Sequence, residues 1–246
     1  MTRLCGGYRK GAAYLPQSSG IVNRETRPTP ARSGRQFRGV FRASFLGSGR
    51  LPALRWPGYG LRMAMTPVRE QLSGYRPVDA REAEFLSRML VLGQTLEACE
   101  RSHFSPGHFT ASAFVLSPDR RDLVLIHHKK LGIWVQPGGH VEASDADLQS
   151  AARREVLEEV GLAELTPFAS NASAVFDVDI HTIPARKADP AHEHFDVRFA
   201  FIANTRDLVH SEEVADLRWV PLADIEQMAT DESVMRAVKK LRTLLG

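Results

Sequence analysis

Cysteine is scarce in this sequence, since only Cys5 and Cys99 occur among 246 residues. Two distant cysteines exclude a disulfide framework and a CxxC metal knuckle, and they favour a reducing compartment such as the cytoplasm. Long apolar runs are missing as well, and none reaches the roughly 18 residues that a membrane-spanning helix needs. The first 20 residues also lack the apolar stretch of a secretory signal. We therefore expect neither a membrane protein nor a secreted one.

Acidic residues are almost absent from residues 1–62, which contain eleven arginines and one lysine but a single acid, Glu25. Residues 63–246 contain 20 basic and 28 acidic residues, so the net charge of +3 conceals two regions of opposite sign. The basic segment is rich in Gly, Pro and Ser and has no hydrophobic period, which favours a disordered extension. Translation from Met63 or Met65 would omit it.

Two alternatives for this basic segment stay open. Its arginine-rich and acid-poor composition is also typical of an organelle-targeting peptide. A basic arm that contacts nucleic acid or anionic lipid is the third interpretation. No nucleic-acid-binding module is visible, so nucleic acid is not an expected partner.

The rest of the chain shows regular hydrophobic periodicity, which predicts a helical segment at 63–103 followed by a compact domain at 104–246. Apolar residues recur every three or four positions in 79–102, which predicts a helix with Asp79 as its N-cap. Apolar or alternating stretches predict strands at 108–117, 122–128, 173–180, 194–203 and 217–220. Further helices are predicted from Pro221 to 228 and from about Asp231 to the C-terminus.

One acid-rich segment carries three glutamates within five residues: Glu155, Glu158 and Glu159. On a helix that advances about 100° per residue they lie within about a quarter turn or slightly more, next to the buried side. Like charges at this spacing cost a few tenths of a kcal/mol each even when exposed. A divalent cation such as Mg²⁺, which favours carboxylate oxygens, would remove this cost.

The alternative is an ordinary acid-rich surface helix in which Arg153 or Arg154 neutralises Glu158. The glycines around the segment weaken that alternative. Gly138 and Gly139 form a tight loop after a predicted strand, and Gly161 is placed to end the helix. A loop and helix with acids at the centre and glycines at both ends is a much rarer arrangement.

The segment resembles the Nudix box, whose pattern is G-x5-E-x7-R-E-U-x-E-E-x-G-U with U an aliphatic residue. The second half of the pattern matches without a gap at Arg154, Glu155, Val156, Glu158, Glu159, Gly161 and Leu162. Gly139 matches the first glycine, but Asp145 stands where the pattern has Glu, and eight residues rather than seven separate it from Arg154. The extra residue falls before or at the helix start, where a loop can absorb it. The similarity extends over roughly 104–246.

The resemblance implies an α/β/α sandwich around a mixed β-sheet and hydrolysis of a diphosphate linkage in a nucleoside diphosphate-X or related small molecule. It implies that Glu155, Glu158 and Glu159 bind Mg²⁺ or Mn²⁺, with the carbonyl of Gly139 as a further ligand. Arg154 would orient the glutamates by charge-assisted hydrogen bonds. Glu155 or an acid outside the box would help to deprotonate the attacking water.

Candidate substrate contacts lie outside the box. Arg198 is predicted to grip a phosphate and His194 to contact the leaving group. The alternative is a solvated sheet face or a polar layer packed under a helix. Lys130 belongs to a basic cluster just before the box, where phosphate would enter, although a charged turn is more often merely solvated.

Weaker signals concern metal ligands. Glu212 and Glu213 precede a predicted strand at a position where some Nudix domains supply another metal-binding acid. His192 and His194 are a weak metal signal by themselves.

Two other functional classes stay open at this point. A non-catalytic module that senses a nucleotide would not require the intact glutamates. An isomerase-like relative acting on an isoprenoid diphosphate usually needs a catalytic cysteine, and Cys5 and Cys99 are badly placed for that role. Nothing in the sequence decides between a monomer and an oligomer.

Overall fold

A computed structural model describes residues 65–168 and 175–246. The basic segment 1–62, with its three interpretations, lies outside the described residues. No helix within the described part of the chain is both long enough and apolar enough to cross a membrane.

The described residues form four α-helices, two short 3₁₀-helices and eight strands. The α-helices are α1 (Val68–Leu72), α2 (Ala80–Leu92), α3 (Leu148–Val160) and α4 (Glu232–Leu245). The strands are β1 (Gly107–Leu116), β2 (Asp122–His127), β3 (Trp134–Val135), β4 (Gly138–His140), β5 (Leu165–Pro167), β6 (Asp177–Ile183), β7 (His192–Ala203) and β8 (Asp216–Pro221). The 3₁₀-helices are Leu96–Cys99 and Ile225–Gln227.

All eight strands belong to one mixed sheet with β1 and β7 at its centre. These two strands run parallel in one register from Gly107 opposite Glu193 to Leu116 opposite Ile202. Every other pairing in the sheet is antiparallel, including β1 with β4 and β7 with β6. All ten residues of β1 are buried, as expected for a central strand covered on both faces.

Each face of the sheet has its own hydrophobic core. On one face Phe109 and Val197 pack with Ala152 and Val156 of α3. On the other face Phe114 packs with residues of α4, including Val238. Because successive side chains of a strand point to opposite faces, even-numbered residues of β1 face α4 and odd-numbered residues face α3. The predicted α/β/α sandwich around a mixed sheet is confirmed.

The segment before the sheet braces the start of α3. The Oε1 atom of Gln71, in α1, accepts a hydrogen bond from the backbone N–H of Leu148 at 2.8 Å. Thr66 N–H donates to the carbonyl of Ala146 at 2.9 Å. These contacts satisfy backbone groups at a helix start that would otherwise need water or a cap.

Two predicted helices differ from the structure. The helix predicted at 79–102 begins as expected, because the Asp79 side chain accepts a hydrogen bond from Glu82 N–H at 2.8 Å, but it ends at Leu92. Gly93 follows, and glycine is a poor residue for continuing a helix. Pro221 ends β8 instead of starting a helix, and only the short 3₁₀-helix at 225–227 follows. The last helix begins after its N-cap Asp231, as predicted.

Candidate active site

The helix that carries the glutamates is fixed at both ends by its own sequence. Asp147 and Ser150 form a reciprocal capping box at the start of α3, with side chain and backbone hydrogen bonds in both directions. Gly161 ends the helix with a φ of 78°, a left-handed conformation that favours glycine. The predicted stop at Gly161 is therefore confirmed, and the glutamates lie in the last two turns of a firmly bounded helix.

The three glutamates differ in exposure. The side chain of Glu158 is 50% exposed, whereas that of Glu155 is only 12% exposed. Glu159 is buried, and its Oε2 accepts a hydrogen bond from the backbone N–H of Gly138 at 2.9 Å. Glu155 and Glu159 thus turn toward the two glycines, which lie in strand β4 and not in the predicted loop, while Glu158 lies at the rim.

Gly139 leaves room for the carboxylate of Glu155. A Cβ atom placed on Gly139 would lie 2.6 Å from Oε1 of Glu155, which is closer than real Cβ contacts. Glycine is therefore required at position 139 for a steric reason, because a side chain there would occupy the space that the carboxylate fills. Gly138 is equally constrained, with a Cβ position only 2.3 Å from Cβ of Ser112.

Arg154 joins the parts of this site. Its Nη1 donates to Glu155 at 3.0 Å and to Glu158 at 2.9 Å, and its Nη2 donates to the carbonyl of His140 at 2.8 Å. Burial disfavours its charge, yet the neighbouring carboxylates of Asp145 and Glu155 outweigh burial and raise the pKa of Arg154. One guanidinium therefore aligns the glycine strand and two glutamates.

Asp145 has a clear structural role despite its departure from the Nudix pattern. Its two oxygens accept hydrogen bonds from Nε and Nη2 of Arg154 at 3.2 and 3.1 Å, a bidentate pair. Its Oδ2 also accepts the backbone N–H of Glu142 at 2.8 Å. The shorter side chain still reaches Arg154 with the extra residue present, because α3 begins only at Leu148.

Arg153 does not neutralise the glutamates. Its Nη1 donates to the carbonyl of Leu165 at 3.0 Å, and its guanidinium lies 4.4 Å from the centre of the Phe201 ring. Arg154 is thus the basic side chain of α3 that meets the acids.

The electrostatics of the cluster favour a bound cation. Burial, together with the charges of Glu155 and Glu213, raises the pKa of Glu159 to about 8, although the hydrogen bond from Gly138 opposes this shift. Burial also raises the pKa of Glu155, against the lowering effect of Arg154. Among the described residues Glu159 has no ion-pair partner. The carboxylates form an oxygen donor set that suits Mg²⁺ or Mn²⁺.

Glu213 comes near this cluster from outside the box. It lies in the exposed loop before β8, and its charge raises the pKa of both Glu155 and Glu159. The backbone carbonyl of its neighbour Glu212 accepts a hydrogen bond from Lys129. The position noted in the sequence therefore supplies an additional acid within electrostatic reach of the glutamates.

The side chain of Arg198 is buried in the protein interior. It is 2% exposed, and its guanidinium contacts Asp177, Asp179 and Asp196 at 2.8 to 3.3 Å. It also donates to Ser233, at the start of α4. This placement does not fit the predicted role in gripping substrate phosphate, because the donors are already used. The alternative, a polar layer packed under a helix, is what the structure contains.

His194 and Lys130 occupy different surroundings. His194 contacts the rings of His108, His140, His181 and His192. Burial and, to a smaller extent, the charges of the nearby histidines lower the pKa of His194 to about 2. Burial likewise lowers the pKa of His140 to about 4. Lys130 is exposed to solvent in the turn after β2.

The family is decided by sequence as well as by geometry. The model of the NUDIX domain matches residues 106–240, which is more than half of the chain. This chain belongs to the Nudix family. It is accordingly a Nudix hydrolase, and members of this class act on diverse nucleoside diphosphate derivatives. A search of curated proteins finds no matching sequence.

Several solved Nudix structures resemble the chain at low identity. The NUDIX domain of Shewanella oneidensis NrtR, solved with ADP ribose, is 19% identical over 56% of this chain and 88% of its own, with a TM-score of 0.43. A NUDIX family hydrolase from Clostridium perfringens is 24% identical over 56% and 97%, also with a TM-score of 0.43. The C. elegans Ap4A hydrolase is 18% identical over 56% and 96%, with a TM-score of 0.40.

Proposed function

We propose that this Nudix hydrolase cleaves a diphosphate linkage in a nucleoside diphosphate-X, using Mg²⁺ or Mn²⁺ bound at the glutamate cluster. The observation that carries the proposal is the position of Glu159, buried against Gly138 with its pKa raised to about 8. Glu159 is buried among acids and has no ion-pair partner in the part of the chain that the structure describes, which is costly unless an ion neutralises it. The reducing interior inferred from the two cysteines, the cytoplasm, is the proposed location.

In this proposal Glu155, Glu158 and Glu159 hold the ion, together with the carbonyl of Gly139. When bound, the ion neutralises phosphate oxygens and lowers the pKa of water. Arg154 keeps Glu155 and Glu158 in place through its hydrogen bonds. These side chains therefore gather a divalent ion at the rim of the sheet, where a diphosphate can reach it.

The reaction consists of attack by a water oxygen on one phosphorus and cleavage of the bond from that phosphorus to the bridging oxygen. Glu155 accepts the proton of the attacking water, since its carboxylate lies beside Gly139 of β4 and its pKa is already raised. Glu213 is the alternative proton acceptor, because it is the acid outside the box that approaches the cluster. Lys130, which is exposed in the turn after β2, contacts the outer phosphate.

A substrate panel tests the proposal. Nucleoside diphosphate sugars, dinucleoside polyphosphates and oxidised nucleotides are incubated with Mg²⁺, with Mn²⁺ and with chelator, and the products are identified by phosphorus NMR. Reaction in ¹⁸O-labelled water shows which phosphorus is attacked, because the label stays on that phosphate. We expect metal-dependent cleavage of at least one compound class.

Matched variants decide whether the cluster is responsible. Glu159→Gln removes one buried charge from the cluster, and Glu97→Gln makes the same change at an exposed position outside it. We expect loss of turnover only in Glu159→Gln. Tight binding of a nucleotide without cleavage, by a folded protein in the presence of metal, would instead favour the sensing module. Comparison of Glu155→Gln with Glu213→Gln in a pH–rate profile identifies the proton acceptor.

A further inference from the structure

Five of the nine histidines of the chain meet at one end of the sheet. The ring of His108 lies 5.2 Å from that of His140, 5.1 Å from that of His192 and 4.8 Å from that of His194. His181 completes the group at 5.4 Å from His194. Imidazoles gathered this closely are poorly explained as packing alone, because each ring carries polar nitrogens that need partners.

Three of these rings point their ligand atoms at a common space. The ligand nitrogens of His108, His140 and His194 all lie within 4.8 Å of one another. The sheet produces this convergence, since the parallel register places His108 directly opposite His194. His140 enters from β4, which pairs with β1 beside Thr110. Three separate strands therefore supply one nitrogen each.

His108 is oriented as a metal-binding histidine usually is. Its Nδ1 lies 3.2 Å from the backbone carbonyl of His103, to which an Nδ1–H donates, and this leaves the lone pair on Nε2. The residue is 1% exposed. Within residues 65–168 and 175–246, His108 Nε2 is one of three buried side-chain atoms without a hydrogen-bond partner. A buried polar atom left unpaired is unfavourable, so a ligand for it would be stabilising.

The histidines lie on the opposite face of the sheet from the glutamates. Gly139 faces Glu155, and because side chains alternate along a strand, the next residue, His140, points to the other face. The donors also differ in chemistry, since imidazole nitrogen suits zinc and its transition-metal neighbours whereas carboxylate oxygen suits Mg²⁺.

We propose that His108, His140 and His194 form a second metal site, which binds a divalent transition-metal ion of the zinc type. Three protein ligands leave a fourth coordination position for water. Tetrahedral zinc with bonds of roughly 2.0–2.1 Å keeps its ligand nitrogens about 3.3 Å apart, so the widest pair must close by about 1.5 Å. Rotation of His140 and His194, which are only partly buried, provides this adjustment around the fixed His108.

The two sites share one residue. The ring of His140 belongs to the histidine cluster, while its carbonyl accepts the hydrogen bond from Arg154 at 2.8 Å. The zinc-type site is nevertheless independent of the proposed hydrolysis, because its ligands exclude every glutamate of α3.

The test uses zinc chloride and the full chain, freed of metal with chelator and then placed in excess Mg²⁺ so that the glutamate site is filled. Zinc binding is measured by titration calorimetry, and the ligands of bound zinc are identified by X-ray absorption spectroscopy. The variants are His108→Asn and His194→Asn. The controls are His210→Asn, an exposed histidine outside the cluster, and Glu159→Gln.

We expect one zinc ion per chain, with imidazole nitrogens at roughly 2.0–2.1 Å in the absorption spectrum. Zinc affinity should fall in both cluster variants by at least the roughly 10- to 100-fold that loss of an outer-shell partner costs. It should be unchanged in both controls.

Four results would overturn the proposal: no zinc binding, oxygen-only ligation, unchanged affinity in His108→Asn, or loss of affinity in Glu159→Gln. If both cluster variants fail to fold, the ligand spectrum of the unmodified protein decides. A protein that binds zinc as expected but hydrolyses nothing would refute the proposed function and leave this site intact.

Discussion

Two groups of acids, most of them buried, lie on opposite faces of the same sheet and differ in how their charge is balanced. Under α4, the acids Glu82, Asp177, Asp179 and Asp196 each contact at least one of three cations, which are Arg198, Arg236 and Lys240. Beside α3, Arg154 is the one cation within residues 65–168 and 175–246 that forms ion pairs with Glu155, Glu158 and Asp145, and Glu159 has none there. Balanced acids hold the structure together, whereas the unbalanced ones are the proposed ligands of a divalent ion.

The pKa values express the same contrast. Under α4, burial alone would raise the pKa of Asp179, but His181, Arg198 and Arg236 hold it at about 2. Beside α3, no cation of the described part of the chain compensates for the burial of Glu159, and its pKa is raised to about 8. Burial is similar at the two positions, so the presence of neighbouring cations decides the direction of the shift.

The largest effect is expected from removing a cation that balances the acids under α4. Arg198→Ala leaves three buried carboxylates without their shared cation, and removal of one partner of a buried ion pair costs about 3–5 kcal/mol. We expect a large drop in the free energy of unfolding, measured by denaturant titration. Arg81→Ala is the control, because it removes an exposed arginine paired with Glu232.

An Arg198→Ala protein with unchanged stability and weaker substrate binding would contradict this expectation. It would restore the role in phosphate binding that the sequence predicted for Arg198.

The second prediction concerns the glutamate cluster of α3, where cations do not balance the acids. Glu159→Gln keeps the shape of the side chain but removes a charge that the ion needs, so turnover should fall by at least about 100-fold and the Mg²⁺ requirement should rise. Stability of the metal-free protein should stay the same or increase, because repulsion among the glutamates decreases. Turnover against Mg²⁺ concentration and thermal unfolding in chelator measure the two effects. Turnover like that of the unmodified protein at low Mg²⁺ would end this interpretation.

A third prediction tests the space that Gly139 provides. Gly139→Ala places a methyl group where the Glu155 carboxylate lies, so the carboxylate must move while the fold can remain. We expect turnover to fall roughly 10- to 100-fold with little change in thermal stability. Gly74→Ala is the matched control, since nothing lies within 4 Å of its added Cβ. Equal activity in the two variants would show that Glu155 tolerates displacement.

The last prediction is a pH dependence of the metal-free protein. The pKa of Glu159 is raised from an ordinary value of 4.5 to about 8, so the folded state keeps a proton that the unfolded state releases. The contribution of Glu159 to stability is therefore present below about pH 4.5 and is lost as the pH rises toward 8. Thermal unfolding in chelator from pH 5 to 9 should show a steeper decline for the unmodified protein than for Glu159→Gln. Parallel curves would contradict the shifted pKa.

The predictions from the sequence were most accurate for features that depend on a single helix or strand. The face of α3 follows from helical periodicity, and the stop at Gly161 follows from a local conformational preference. The alternation in β7 correctly separated a polar face from an apolar face. It could not show that α4 covers the polar face, which is why Arg198 seemed accessible. Burial depends on a distant element, and periodicity within one strand carries no information about it.

The histidine cluster shows the same limit more strongly. His108, His140 and His194 belong to three strands, and only the pairing of β1 with β7 and β4 brings them together. The weak signal of His192 and His194 was visible in the sequence, but His108 and His140 had no local pattern to connect them. The role of Asp145 was open for a related reason, because its bidentate contact depends on how the loop before α3 folds.

The parallel pairing of β1 and β7 also affects how the chain reaches its fold. Paired residues are 86 positions apart at every step, from Gly107 opposite Glu193 onward. Contacts so distant in sequence carry a large loop-closure cost and slow folding. During synthesis β1 must wait, with one edge unpaired, until β7 has emerged from the ribosome. A nascent chain that stops before His192 thus exposes a long apolar edge, and chaperones or aggregation compete for it.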